Sequence, residues 1–142
     1  MLLRRRISGL TLAALLSTSF ACGGDDDGST GPDNTHVGTF TLVSVNGQNL
    51  PFSLTEGTAT ITITSGSVTL NADRSFTDVT SYTFRQGTAT ESLTDTALGS
   101  YVRSGNNITF NVSSPEPGTY SMAFSGNTLT QVEEGFTLIY RR

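Results

Sequence analysis

From Val37 onward, apolar and polar residues alternate with a period of two, and this alternation constrains the fold more than any other feature. Gly, Asn, Asp or Pro interrupts the pattern about every eight to twelve residues, as in a series of short strands joined by turns. Successive side chains of a strand point to opposite faces, so the alternation predicts one apolar face and one polar face. No helical period of useful length appears in this region. The pattern therefore predicts an antiparallel all-β domain, either a sandwich or a barrel.

The alternation predicts eight strands, and six of them are followed by residues typical of tight turns. The strands are predicted near 37–45, 58–71, 74–86, 96–103, 107–113, 119–125, 128–133 and 136–141. Hairpin connections make neighbours in sequence neighbours in space. The apolar parity changes between Ile63 and Val68, which predicts a β-bulge at Ser65 and Gly66 of the kind that bends a strand in a small closed barrel.

The polar face of the predicted sheet is rich in hydroxyl groups, since the chain contains 24 Thr and 17 Ser. Alternation alone does not say whether the apolar face lies inside the domain or against lipid. Most of the predicted strands have six or seven residues, whereas strands that cross a membrane need about 9 to 11. Strand length therefore favours an apolar core inside the barrel.

The first 21 residues have the features of a bacterial export signal. Arg4 to Arg6 form a basic start, and a weakly apolar stretch from Ile7 to Phe20 is too short to span a bilayer, which takes about 20 residues. Ala21 and Cys22 follow, where a lipoprotein signal places its cleavage site and its lipidated cysteine. Ser19 stands where that motif usually carries Leu, and Ser19 to Ala21 also fit an ordinary cleavage site that would release a secreted protein.

Cys22 is the only cysteine in the chain, and lipidation would remove a thiol that is otherwise reactive in an oxidising compartment. Residues 22–36 contain no large apolar side chain and are predicted to form a flexible acidic tether. Without residues 1–21 the chain carries five Arg and twelve carboxylates, a net charge of -7, which disfavours anionic lipid head groups and nucleic acid as partners. We expect a cell-envelope lipoprotein, held on the periplasmic or cell-surface face of the outer membrane by its lipid anchor; the alternative is secretion.

The sequence offers no evident catalytic constellation. His36 is the only histidine and falls in the predicted tether, and the chain has no Lys, so the barrel has no evident base to activate a Ser or Thr nucleophile. One His and one lipidated Cys do not supply the three or four ligands of a zinc site. We therefore expect a protein that is not an enzyme and that needs no metal and no cofactor.

Several segments of the domain resemble the small lipocalin-like domains of bacterial lipoproteins. The resemblance rests on Gly38–Phe40, on Leu42–Pro51 (LVSVNGQNLP), on Gly66–Phe76 (GSVTLNADRSF), on Gly99–Tyr101 with Gly105–Phe110 (GNNITF), and on the ending Tyr140–Arg142. Phe40 stands where the Gly-x-Trp signature of the larger lipocalins has Trp. The resemblance implies that residues 37–142 form an eight-stranded up-and-down lipocalin-like barrel that binds a small apolar molecule in its mouth.

We expect the ligand to be a small apolar or amphipathic molecule, since the apolar face is rich in aromatic residues. The candidate binding residues are seven aromatic side chains and two cations that could hold an acidic group: Phe40, Tyr82, Phe84, Tyr101, Phe110, Tyr120, Phe124, Arg85 and Arg103. The alternative is a filled barrel that acts as a structural or protein-interaction module, for example in envelope stress or inhibition. In that case the predicted loop from Gln86 to Asp95 is the natural contact.

Overall fold

The computed structural model describes residues 34–142, which form ten β-strands and no helix. The strands are β1 (Gly38–Val45), β2 (Gln48–Asn49), β3 (Phe52–Glu56), β4 (Ala59–Leu70), β5 (Ser75–Gln86), β6 (Ala89–Ser104), β7 (Asn107–Ser114), β8 (Gly118–Ser125), β9 (Thr128–Glu133) and β10 (Phe136–Arg141). Every pairing between them is antiparallel. This is the all-β meander that the alternating pattern predicts.

Strand β1 closes the sheet into a barrel, because it pairs with a different strand on each side. It pairs with β10 through Leu42 and Tyr140, and with β4 through Phe40 and Val68. Strands β4 to β10 pair in sequence order, so β1 and β4–β10 form a closed up-and-down barrel of eight strands, as predicted. The short β2 and β3 lie outside this ring and extend β1 and β4 beyond it.

The apolar face points into the barrel. Phe40, Val68, Ile108, Phe110 and Leu129 have no exposed surface, and sixteen apolar side chains in all are buried in one cluster. Thr and Ser cover much of the outer face, where pairs on neighbouring strands bond each other, for example the hydroxyls of Thr39 and Thr69 at 3.0 Å. Burial of this cluster supplies the main stabilising free energy of the fold.

All eight predicted strands are present, and the predicted bulge is confirmed one residue earlier than expected. The register between β4 and β5 shifts between Ile63 and Ser65, so that Thr64 is the extra residue. Two predictions about loops were wrong. Residues 52–56 form the additional strand β3, and the loop expected from Gln86 to Asp95 is a tight hairpin whose residues Ala89–Asp95 pair with β5.

The predicted signal peptide (1–21), Cys22 and residues 23–33 of the predicted tether lie outside the described residues. Residues 34–36 of that tether are described, and they lie against one end of the barrel. His36, in this part of the predicted tether, is only 9% exposed.

Candidate functional site: the open end of the barrel

The two ends of the barrel differ. At the closed end, which carries the turns at 71–74, 105–106 and 126–127, the inward side chains are buried and His36 covers them. At the open end, which carries the turns at 57–58, 87–88 and 134–135, the inward apolar side chains are only partly buried. The inward apolar side chains at the open end are therefore in contact with solvent.

The wall of the barrel is much taller on one side. Strands β4, β5 and β6 have 12, 12 and 16 residues, whereas β9 and β10 opposite have six each. Strand β6 pairs with β7 only from Leu98 to Ser104, so Ala89–Ala97 extends beyond the rim with β5 as its ladder partner among the described residues. We call the projecting sheet, residues 52–65 and 80–97, the tall wall.

The inner face of the tall wall is apolar and half exposed. The register aligns two rows of side chains across four strands: Phe52, Ile63, Tyr82 and Leu93 in the lower row, and Leu54, Ile61, Phe84 and Glu91 in the upper row. All but Phe52 and Glu91 are partly buried. On the short side Phe136 meets the edge of the Phe52 ring, with the centroids 6.3 Å apart. Together these side chains form an apolar cup.

A layer of hydrogen-bonded polar groups lies beneath the cup. The Tyr120 hydroxyl donates to Asp78 Oδ2 at 2.8 Å, and the Tyr82 hydroxyl donates to Asp95 Oδ2 at 3.3 Å. Asp78 is only 5% exposed, so its carboxylate acts as an acceptor inside the barrel. Burial, with the nearby charge of Asp95, raises the pKa of Tyr82. The layer therefore presents neutral phenols and carboxylates to anything that enters the cup.

Below the polar layer the barrel is filled by aromatic rings. Phe110 and Tyr120 are stacked with centroids 4.6 Å apart, and Phe76 meets Phe110 edge to face at 4.9 Å. Offset or edge-to-face contacts of this kind stabilise a core beyond the area they bury. These rings fill the barrel below the polar layer and form a solid core.

The closed end is built around His36. Its Nε2 lies 3.1 Å from the Tyr101 hydroxyl, and its Nδ1 lies 3.2 Å from a guanidinium nitrogen of Arg103. Arg103 also lies over the Phe124 ring, 4.9 Å from its centroid. Burial, followed by the charge of Asp73, raises the pKa of the Tyr101 phenol. This end is thus covered by a compact polar and aromatic cluster.

Arg142 anchors the chain that enters the closed end. Its guanidinium donates to the carbonyl oxygens of Val37, at 2.7 Å, and of Thr35. The same group lies over the Phe40 ring at 5.2 Å. Phe40 therefore packs under the guanidinium group of Arg142.

The structure divides the predicted binding residues among three places. Tyr82 and Phe84 lie in the cup, and Phe110 and Tyr120 belong to the aromatic core of the barrel. Phe40, Tyr101, Phe124 and Arg103 belong to the closed end, and Arg85 is exposed on the outer face of the tall wall. The two arginines are therefore far apart in the fold and do not form one anion site.

Sequence reasoning missed several residues of the cup. Leu54 and Leu93 were missed because their segments were taken for loops, although each segment alternates apolar or acidic residues with Ser and Thr. Asp78 was missed because a carboxylate beside a turn or strand end is usually solvated, and Asp95 because it was taken for the last residue of a loop. Their position in the inward–outward alternation could have identified them, since both lie on the same face of the sheet as Tyr82.

A separate depression of about 560 Å³ lies on the outer wall, between Ser75, Leu98, Asn111 and Ser113. The accessible surface of its lining is more apolar than polar. It is wide open to solvent, so it would cover only part of a small molecule.

Within residues 34–142, no three His, Cys, Asp or Glu side chains are placed to hold a metal ion. The same residues include no helix that is long and apolar enough to cross a membrane. Comparison with protein-family models, with curated proteins and with solved structures finds no significant match. The function is therefore argued from the cup, the polar layer beneath it and the sequence of the first segment.

Proposed function

We propose that the chain is a lipocalin-like lipoprotein of the bacterial cell envelope, and that its barrel binds a small apolar or amphipathic molecule in the cup. The half-exposed apolar face of the tall wall carries this proposal. Apolar side chains that remain partly hydrated gain free energy when a ligand covers them. The role is binding, without a catalytic step.

The polar layer beneath the cup supports an amphipathic ligand. Asp78 and Asp95 already accept hydrogen bonds from tyrosines, and carboxylates accept several hydrogen bonds each. A ligand whose polar end donates hydrogen bonds or carries positive charge would suit these acceptors, while its apolar part lies against Ile61 and Phe84. An acidic ligand would be repelled by the same carboxylates, and Arg85 points away from them.

The ligand proposal is tested by titrating the full chain with N-phenyl-1-naphthylamine, a neutral apolar amine whose fluorescence rises in apolar surroundings. We expect saturable binding to one site. Phe84→Asp places a charge in the cup and should weaken binding at least about tenfold. Thr83→Asp is the matched control, because Thr83 is the neighbouring residue on the opposite face of β5. Absence of saturable binding, or equal loss in the two variants, would refute the proposal.

The anchor is proposed from the sequence, because Cys22 and residues 1–21 lie outside the described residues. We expect Cys22→Ser to move the protein from the membrane fraction to the soluble fraction and to abolish labelling by radioactive palmitate, since two acyl chains are needed for stable anchoring. Ser29→Ala in the same segment is the control. A wild-type protein already in the soluble fraction would instead indicate secretion after ordinary cleavage.

One observation favours a second role as a protein-interaction module. Strand β6 has no ladder partner on its second side from Ala89 to Thr94 within the described residues, and such an edge is able to pair with a strand of another protein. Substitution Thr94→Pro would block pairing at this edge. If that variant lost a cross-linked protein partner in the envelope while dye binding stayed unchanged, the interaction role would be supported.

A further inference from the structure

The charged side chains of the barrel are segregated between its two ends. Residues 34–142 contain five arginines, and four of them lie at the closed end: Arg74, Arg103, Arg141 and Arg142. Arg85 lies near the open end, exposed on the outer face. The same residues contain eight side-chain carboxylates, and four of these face the interior on the open side of the aromatic core: Asp78, Glu91, Asp95 and Glu133. The interior near the open end is therefore acidic.

Glu91 and Glu133 lie on different sides of the cup. Glu91 belongs to the upper row of the tall wall, where it is paired in register with Phe84. Glu133 lies on the short side and is paired in register with Phe136, so it shares the face of that ring. Nε2 of the buried Gln131 donates to Glu133 Oε2 at 2.9 Å, which directs this carboxylate towards the interior. Both glutamates therefore border the apolar side chains of the cup.

We infer that the ligand of the cup is an amphipathic cation, that is, a molecule with an apolar chain or ring and an ammonium or guanidinium group; this ligand class rests on the binding function proposed above. Its apolar part covers the half-exposed side chains of the tall wall, and its positive group lies among the inward carboxylates. The attraction between opposite charges is stronger in a partly dehydrated cavity than in water. Charge complementarity therefore selects the ligand, and the apolar surface supplies part of its affinity.

The negative charges of the cup already act on one of its own groups. Burial, and after it the charges of Asp95 and Glu91, raise the pKa of Tyr82. These charges oppose a further negative charge in the cup and, by the same physics, favour a positive one. A neutral apolar molecule gains only from the burial of its surface, and an anionic molecule loses part of that gain to repulsion. A cation should therefore bind more tightly than a neutral molecule of the same shape, and an anion less tightly.

The closed end of a second copy is the rival occupant, because it is basic. Its inward apolar side chains are buried, however, so it offers the cup little apolar surface. Two of its arginines are also engaged within their own chain. Arg103 donates to the carbonyl oxygen of Gly105 at 2.8 Å, and Arg142 donates to that of Val37 at 2.7 Å. A small cation with an apolar part is therefore the better match.

The test is displacement of bound N-phenyl-1-naphthylamine from the full chain at about pH 7. The competitors are n-octylamine, 1-octanol and octanoate, which share one alkyl chain length and are positive, neutral and negative at this pH. We expect the amine to displace the dye at a concentration at least about tenfold lower than octanol does, and octanoate to be weaker than both. Added salt should weaken displacement by the amine and not by octanol, because salt screens the attraction between charges.

The combined variant Glu91→Gln and Glu133→Gln removes two inward charges and keeps an acceptor oxygen at each position. We expect the amine to lose affinity about fivefold or more in this variant. Octanol should bind as before, which shows that the cup is still folded. Asp73→Asn is the control, because it removes a carboxylate from the turn at the closed end, and it should leave displacement by all the competitors unchanged.

Equal displacement by the amine and by octanol would overturn the inference and leave the proposed binding of an apolar molecule intact. Failure of the dye and of every competitor to bind would overturn both. An equal loss of amine affinity in Asp73→Asn and in the combined variant would also overturn the inference, because net charge alone would then account for it. Concentration-dependent association of the chain in sedimentation, without displacement of the dye by the amine, would make a second copy the occupant and overturn it as well.

Discussion

Gly99 lies in β6 at a point where the barrel leaves no room for a side chain. A Cβ atom built on Gly99 would lie 2.0 Å from the carbonyl oxygen of Asn111 and 2.9 Å from Cε1 of Phe76. Ordinary contact begins at 3.4 Å, so the first distance is 1.4 Å too short. The clashing oxygen belongs to the backbone of β7, and the Phe76 ring is fully packed. Gly99→Ala therefore cannot be accommodated by rotation of a side chain.

The loss of stability in Gly99→Ala follows from the separation of β6 from β7 that the new Cβ atom would force. Strand β6 pairs with β7 at Gly99 with Val112 and at Ser100 with Asn111, and a shift of more than an ångström breaks about two ladder hydrogen bonds there. Each is worth about 1 kcal/mol, and a buried group left without a partner costs about 1 to 3 kcal/mol more. We expect Gly99→Ala to lower the free energy of unfolding by about 3 to 5 kcal/mol, a large part of the total for a domain of this size.

Urea unfolding followed by circular dichroism measures this effect, since the chain has no Trp to serve as a fluorescence probe. With a slope of about 1.5 kcal/mol per molar, the midpoint should fall by about 2 to 3 M. Gly66→Ala should cost about 1 to 3 kcal/mol, because its nearest atom would be the Leu42 Cβ at 3.0 Å. Gly118→Ala, with nothing within 4 Å, is the control and should be neutral or stabilising. A Gly99→Ala protein as stable as Gly118→Ala would refute the reasoning.

Two further predictions concern the ends of the barrel. Arg142→Ala removes the cation over Phe40 and a donor to backbone carbonyls, and should lower the free energy of unfolding in urea by about 1 to 2 kcal/mol. The control, Arg141→Ala, should change it by less than about 0.5 kcal/mol. Equal effects of the two substitutions would contradict the contacts assigned to Arg142. Asp95→Asn removes a charge that raises the pKa of Tyr82, so this phenol should ionise at lower pH in an ultraviolet titration. Because the pKa of Tyr82 is raised in the folded state, the neutral phenol contributes to stability fully below about pH 10, and this contribution is lost as pH rises through the folded-state pKa. If Tyr82 titrates unchanged in Asp95→Asn, the contact between Tyr82 and Asp95 is contradicted.

The order of strands β4 to β10 could be predicted from the sequence because it depends on local signals: strands that alternate over six residues or more, and turn residues between them. Closure depends instead on the pairing of β1 with β4 and with β10, which are distant in sequence, and was expected from the lipocalin resemblance. The segment Ala89–Asp95 was missed for a physical reason. Its inward positions are Ala89, Glu91, Leu93 and Asp95, and two of these four are charged. The segment therefore shows no apolar period from which a strand could be predicted.

The arrangement at each end could not be predicted, because it depends on contacts between distant residues. His36 meets Tyr101 and Arg103 across 65 and 67 residues of sequence, and a lone histidine in a polar segment carries no signal of burial. The separation of Arg85 from Arg103 likewise depends on the register of β5 and β6, which places Arg85 outward near the open end and Arg103 at the closed end. Composition shows which side chains are present, whereas strand length and register decide which of them meet.

Unequal strand length also separates stability from binding. The closed half needs all eight strands, and its buried aromatic core is packed whether or not the cup is filled. The tall wall projects beyond the short strands, so its inner side chains have no opposite strand to pack against and stay half exposed. Complete burial of a large apolar side chain is worth about 1.5 to 3 kcal/mol, so covering the remaining half of about six of them gives roughly 5 to 9 kcal/mol before the costs of association. The costs of association offset a substantial part of this free energy, so the geometry supports dissociation constants no lower than about micromolar for a small apolar ligand. Tighter binding would require hydrogen bonds to the carboxylates of Asp78 or Asp95.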